Sequence, residues 1–342
     1  MAEEQQCLDL APASVKINEA INKIKNDSIR TIGWKSLKKR RNNISPVVTG
    51  ATAGIGKAYA HELAKRGLNV VLISRSLEKL KQVAAEIEEQ HSRSTRVIQM
   101  DFTEGSESYE PIRDALQGLE IGILVNNVGM TIPLPLHFLH LPGIDKYIPD
   151  LVNCNILSTL KMTQIILPQM VARKKGIVIN ISSILARRPM PLHQIYAASK
   201  TFLDLFARGL DREYRSKGII VQSVLPAFVD SNMTAKYAEW GKIPADVFAH
   251  KALNTVGLTN RTSGTLMHSI QVYSTSLQGL PEARAFGASQ RALGPWLLAR
   301  GSCPEDQMPS WSANQKQWSD ILPFCLAGKR GATVFLQQRI RL

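Results

Sequence analysis

Cysteine is scarce in this chain. Cys7, Cys154, Cys303 and Cys325 are scattered, and no pair has the spacing of a disulfide framework or a zinc site, which argues for a reducing compartment. The 7 histidines are equally dispersed, so no metal is expected. Residues 1–45 contain no apolar run approaching the ~18 residues that span a bilayer, so no membrane anchor is expected there. Aromatic residues make up only 6% of the chain and are not interleaved with basic ones as a base-stacking platform. Nucleic acid is therefore a poor partner, although the net charge is +14. That excess instead favours phosphate-bearing ligands such as NADPH, coenzyme A or anionic lipid.

What is present is organised. With 342 residues and 44% hydrophobic content, the chain can bury one α/β core of about 230 residues, flanked by two appended segments. Residues 46–271 hold that core. In residues 1–45, Ile17, Ile21 and Ile24 recur at helical spacing ahead of the basic run Lys35, Lys38, Lys39, Arg40 and Arg41. This pattern fits a solvated linker, an amphipathic helix on an anionic membrane, or a nuclear-localisation-like run. Residues 272–342 are rich in Ser, Gly, Pro, Gln and Arg with weak periodicity, and we expect partial disorder with one helix around Ala283 to Arg300.

Within the core, Val47-Val48-Thr49-Gly50-Ala51-Thr52-Ala53-Gly54-Ile55-Gly56 reads as strand, tight turn and helix start. Such glycines let backbone approach a pyrophosphate whose charge sits at the positive end of the helix. Pro46 is the discordant residue, because proline lacks a ladder donor; we expect it at the first position of a strand shortened to about three residues. The next strand, Asn69 to Ser74, ends in Ser74-Arg75, where NAD binding calls for a carboxylate. A guanidinium there suits a 2′-phosphate, so NADP(H) is the expected cofactor. Further apolar runs follow: Arg96 to Met100 ending at Asp101, Ile121 to Val125 ending at Asn126, Gly176 to Ile181 ending at Ser182 and Ser183, and Ile219 to Leu225 ending at Pro226. Alternating with helical segments, they give a Rossmann-type doubly wound parallel sheet with its chemistry at the strands' carboxyl ends.

Tyr196-Ala197-Ala198-Ser199-Lys200 places a phenol one helical turn from an ammonium. A phenol titrates near pH ~10, and a neighbouring cation favours its ionised form. Taken with Thr49-Gly50-x-x-x-Gly54-x-Gly56, Asn126-Asn127-Val128-Gly129, Asn155 and Ser183, thirteen positions before Tyr196, this set resembles the short-chain dehydrogenase/reductase family. The resemblance covers about residues 47 to 270 and implies roles. Tyr196 would be the general acid and Ser183 would hydrogen-bond the substrate carbonyl. Lys200 would bind the ribose and lower the phenol pKa, and Asn155 would hold a water in the proton relay. Along the cofactor it places Gly50, Thr52, Gly54, Ile55, Gly56, Ser74, Arg75, Asp101, Asn127, Gly129, Tyr196, Lys200, Pro226, Val229 and Ser231. Pro226-Ala227 departs from the family's Pro-Gly.

Within the family, the stretches Glu62 to Arg75 and Gly118 to Met130 are similar to the 17β-hydroxysteroid dehydrogenases of types 3 and 12. Glu213 to Gly218 and Val221 to Pro226 are equally similar to type 12, a reductase of very-long-chain 3-oxoacyl-CoA. The expectation drawn here leans to type 3: an NADPH-dependent reductase of a steroid 17-ketone, with the 3-oxoacyl-CoA reductase as alternative. An inactive cofactor-binding variant with altered ends is the alternative of another class. The resemblance implies the endoplasmic reticulum and a homodimer paired through the helices bearing Asn155 and Tyr196. Pro189, Met190, Leu192, Phe228, Met233 and Tyr237 make the expected pocket apolar without naming its guest.

Overall fold

The computed structural model describes residues 44–132, 136–235 and 242–269. The segments before residue 44 and after residue 269, with the helix expected around Ala283 to Arg300, lie outside the described residues, as does Tyr237.

The strands are β1 (Ile44–Thr49), β2 (Val70–Ser74), β3 (Thr95–Gln99), β4 (Glu120–Asn126), β5 (Gly176–Ile181), β6 (Ile219–Val224) and β7 (Arg261–Thr262). They form one seven-stranded sheet in the order β3-β2-β1-β4-β5-β6-β7. Every pairing is parallel. The helices are α1 (Gly54–Lys65), α2 (Leu77–His91), α3 (Glu110–Ala115), α4 (Ile144–Leu151), α5 (Ser158–Ala172), α6 (Gln194–Tyr214) and α7 (Ala245–Leu253).

Successive strand residues serve opposite faces, which is why the strands are unbroken apolar runs. Val48 and Leu72 join Tyr59, Leu63, Leu80, Ile87 and Phe248 of α1, α2 and α7. Val47 and Ile73 join Ile112, Met162, Ile166, Met170 and Leu210 of α3, α5 and α6. This is the expected doubly wound sheet, and its order reverses between β1 and β4, where such sheets leave a crevice at their carboxyl ends.

Two details depart from expectation. Pro46 lies inside a six-residue β1 rather than at the start of a shorter strand. The pairing with β4 slips between Ser45 and Pro46, so that Ser45 faces Ile121, Pro46 faces Ile123 and Gly122 is passed over. On the other side the ladder with β2 begins only at Val47. An irregular ladder tolerates the missing donor. Gly122 is required there, since a Cβ on it would stand 2.4 Å from Ile44 Cγ2. The second departure is β7, two residues long and too short to give a sequence signal, joined to β6 where Leu225 N–H donates to Thr262 O at 2.7 Å. Among the described residues no helix is long and apolar enough to cross a membrane.

Candidate active site

At the end of β1 the chain turns at Gly50 with φ +64° and enters α1 at Gly54 with φ +51°, left-handed conformations that disfavour any side chain. A Cβ on Gly56 would lie 2.2 Å from Gly50 O and 2.4 Å from Asn127 Nδ2, so turn and helix touch through bare backbone. Asn127 holds the turn, its Nδ2 donating to Thr49 O at 2.9 Å and Gly50 O at 3.2 Å. Thr49 completes the brace. Its Oγ1 accepts from the N–H groups of Asn127 and Val128, each at 3.0 Å, and donates to Val125 O at 3.3 Å. Ala53, the residue capping α1, contributes no side-chain hydrogen bond, which leaves the helix's first amides directed at the turn.

Beside the turn, Thr52 Oγ1 lies 3.1 Å from Ser74 Oγ, and β2 delivers Arg75 to the surface next to them. Gln99 Nε2 donates to Arg75 O at 3.0 Å. Asp101 Oδ1 accepts from Thr103 N–H at 3.0 Å and Thr103 Oγ1 at 2.9 Å. An open cavity of about 660 Å³ is lined by Arg75, Ser76, Gln99, Met100, Asp101 and Glu104.

The second half of the site is built from buried polar groups. Between α4 and α5 the helix widens into a π-turn, Val152–Leu157, a form often found where a helix serves a site. It carries Asn155, which is fully buried. Asn155 Oδ1 accepts from Met130 N–H at 2.8 Å, while Nδ2 donates to Met130 O at 3.0 Å and Ser199 Oγ at 2.9 Å. Ser199 Oγ in turn donates to Tyr196 O at 2.7 Å, tying the π-turn to the first turn of α6. Lys200 is buried, with Nζ donating to Ile181 O at 3.0 Å and lying 5.8 Å from the centre of the Tyr196 ring. Desolvation pushes its pKa down to about 8, close to the range where an ammonium can exchange its proton. Burial pushes the neighbouring Cys154 thiol up to about 11, which leaves it inert.

Gly129 sits where these groups converge, since a Cβ on it would lie 3.1 Å from Lys200 Nζ and 3.4 Å from Asn155 Oδ1. Ser182 Oγ donates to Lys200 O at 2.6 Å, so the end of β5 is fixed to α6. Ser183 follows, its Oγ accepting from Leu185 N–H at 3.2 Å at the start of a short 3₁₀ turn. After β6, Pro226 O accepts from Ile184 N–H at 3.0 Å, which sets the 226–231 loop against the Ser183 turn. The loop returns to the glycine turn, because a Cβ on Gly54 would meet Ser231 Cβ at 2.8 Å. Val229 is 2% exposed and its side chain belongs to the core, so only its backbone can reach a ligand. Of the expected apolar pocket, Leu192 is buried, whereas Phe228 and Met233 are well exposed. Among the described residues no group of three or more His, Cys, Asp or Glu side chains could hold a metal ion.

Residues 46–242 match the short chain dehydrogenase family. The chain belongs to that family. Among curated proteins, it is 50% identical to the very-long-chain 3-oxoacyl-CoA reductase of Anas platyrhynchos over 232 residues, 68% of this chain and 74% of that protein. The Homo sapiens protein of the same name is 51% identical over 225 residues, 66% of this chain and 72% of that one. Among solved structures, the short-chain dehydrogenase from Sphingobium yanoikuyae in complex with NADPH superposes with a TM-score of 0.58 at 23% identity, covering 78% of this chain and 98% of that one, a likeness of fold.

The family binds NAD(P), and the turn fits such a group: Gly50, Gly54 and Gly56 are packed too closely to carry side chains, so the cradle at the start of α1 is bare backbone that a phosphate can approach. In this short-chain dehydrogenase Asn127 is joined to the glycine turn, Gly129 lies against Asn155 and Lys200, and Asn155 reaches Tyr196 through Ser199. Thr49 and Ser199 were missed as site residues although both lie inside the quoted motifs. Nothing in a lone Thr or Ser signals a buried hydroxyl; the signal lies in the backbone groups each one satisfies.

Proposed function

We propose that this chain is an NADPH-dependent reductase of long-chain 3-oxoacyl thioesters. The observation that carries the reading is the roughly half-identity to very-long-chain 3-oxoacyl-CoA reductases over 225 to 232 residues. It moves the expectation away from the steroid 17-ketone, which the shared motifs did not discriminate. Arg75, exposed beside Thr52 and Ser74, supports preference for a 2′-phosphate over a free ribose hydroxyl. The +14 net charge suits a coenzyme A thioester, whose phosphates it attracts.

When bound, the nicotinamide supplies a hydride to the keto carbon. The chain's residues meet the charge that then develops on oxygen. Tyr196 donates its phenolic proton to that oxygen, and the Ser183 hydroxyl donates a hydrogen bond to it. Lys200, held by Ile181 O with its pKa near neutrality, keeps a positive charge beside the phenol and passes a proton onward. Asn155, locked by Met130 and Ser199, shapes the π-turn so that water can reach Lys200. The expected dimer contact through the helices bearing Asn155 and Tyr196 falls to the outer face of α6, because Cys154 and Asn155 are themselves buried. Its apolar strip is Phe202 and Leu205, 37% and 65% exposed.

The test is NADPH oxidation by the full chain with a long-chain 3-oxoacyl-CoA and, separately, with androstenedione, each repeated with NADH. Turnover of the thioester with NADPH, lowered at least about 10³-fold in Tyr196→Phe while NADPH still binds, is the expected outcome. Turnover of androstenedione alone would return the reading to a steroid reductase. Equal rates with NADH would remove the role given to Arg75.

A further inference from the structure

His268 is fully buried and belongs to none of the motifs described above. Its ring rests on Phe248, with centroids 5.5 Å apart, while its polar edge faces the loop that follows β6. Ala227 N–H donates to Nδ1 at 3.3 Å, and Nε2 lies 3.2 Å from Phe228 O. An amide can only donate and a carbonyl can only accept, so one neutral tautomer serves both: Nδ1 bare and Nε2 carrying the proton. Ser263 O, also 3.3 Å from Nδ1, is then a neighbour rather than an acceptor. Burial lowers the imidazole's affinity for a proton, which agrees with that neutral form.

The loop so held runs from the Ser183 turn to the glycine turn. Phe228 O accepts a second bond from Ile243 N–H at 3.0 Å, and Asp230 N–H donates to Ile243 O at 2.9 Å. Downstream, Thr234 Oγ1 donates to Val229 O at 2.6 Å, and Ser231 packs on Gly54 of the glycine turn. Upstream, Pro226 O is fixed by Ile184, next to Ser183. Ala227 N–H has His268 as its acceptor, so the imidazole pins the loop at Ala227 and Phe228 while Thr234 holds it at Val229.

We propose that His268 is a positioning residue for the nicotinamide half of the cofactor, acting through the backbone of Ala227 and Phe228 on the loop that carries Val229 and Ser231. This rests on the cofactor reading above. It predicts a local effect: loss of the brace loosens the loop over the nicotinamide and leaves the Arg75 end of the crevice untouched. Phe or Gln at 268 leaves the Ala227 amide without its acceptor, whereas Asn offers an Oδ1 in place of Nδ1.

The experiment measures dissociation constants of the full chain for NADPH and for 2′,5′-ADP, which has the adenosine end but no nicotinamide. His268→Phe and His268→Gln are expected to weaken NADPH about tenfold, the effect of one buried hydrogen bond, with 2′,5′-ADP unchanged within about twofold. His268→Asn is expected to restore most of the loss. Unchanged NADPH binding in Phe and Gln variants would overturn the proposal, and so would equal weakening of both ligands, which marks a general packing role. Should His268→Phe fail to fold, the Gln and Asn pair decides alone. A wild-type chain that bound neither ligand would overturn the cofactor reading itself, and with it this proposal.

Discussion

The glycine turn and the Lys200 cluster reach defined geometry by opposite means. At the turn, side chains are left out. Gly50, Gly54 and Gly56 bring backbone against backbone, and neutral partners, Thr49 and Asn127, satisfy it. Around Lys200, side chains are packed in, and a buried ammonium and a buried amide are fixed by the few polar groups they touch. The first arrangement is a steric fit with no charge buried. The second holds a cation that water would solvate better, and it spends folding stability to keep that cation beside Tyr196.

Gly56→Ala breaks the first arrangement and has the largest expected effect. The new methyl would stand 2.2 Å from Gly50 O, a backbone atom, and 2.4 Å from Asn127 Nδ2, which is tied to Thr49 O and Gly50 O. The turn must open, and NADPH affinity should fall at least about 100-fold, with a stability loss of about 2–3 kcal/mol. Calorimetric titration and a denaturant midpoint check both. A variant that bound NADPH normally would show that the cradle is not where phosphate sits.

Lys200→Met tests the second and should move stability the other way. The folded-state pKa of Lys200 is lowered from 10.5 to about 8, so between those values the unfolded chain binds more protons than the folded one. Stability from this site is therefore complete above pH ~10.4 and is lost as pH falls toward 8. Methionine fills similar volume without a charge. At pH 7 the variant should be more stable than the parent by about 1–3 kcal/mol, after allowing for the lost bond to Ile181 O, while turnover collapses. The gap should narrow as pH rises through that window. Thermal melts at pH 7 and pH 10 measure it; a variant less stable at pH 7 would show that the ammonium is better satisfied than its single hydrogen bond implies.

The same contrast explains what the sequence made legible. Glycine spacing, unbroken strands and the Tyr196–Lys200 interval are local patterns, and each leaves a trace in consecutive residues. Strands β2 to β6 fall within one residue of the expected limits for that reason. Asp204 illustrates the opposite case. It is buried on α6, and it accepts from Ser223 Oγ at 2.7 Å and pairs with Arg261 Nη2 at 2.8 Å, fastening β7 to the sheet edge through residues far apart in the chain. Thr49, Ser199 and His268 act the same way, through backbone groups that only the folded chain brings near. Substrate identity was illegible for a related reason: Phe228 and Met233 offer apolar surface on which a sterol or an acyl chain would pack alike.

The smallest expected effect concerns Pro46, the residue that made the central strand look weak. It is buried in β1, yet the ladder to β2 starts one residue later and the ladder to β4 skips Gly122 at the same point. Valine there would add an amide donor and remove the ring that restricts the unfolded chain, a restriction worth about 0.4–1 kcal/mol to the folded state. Pro46→Val is therefore expected to shift stability by less than about 1 kcal/mol, toward destabilisation, with NADPH affinity unchanged. Urea midpoints with an unchanged slope check it. A clear gain in stability would mean that the ladder can accept a donor at position 46, and that the slip beside Gly122 is imposed by the proline rather than by the close packing of Gly122 on Ile44.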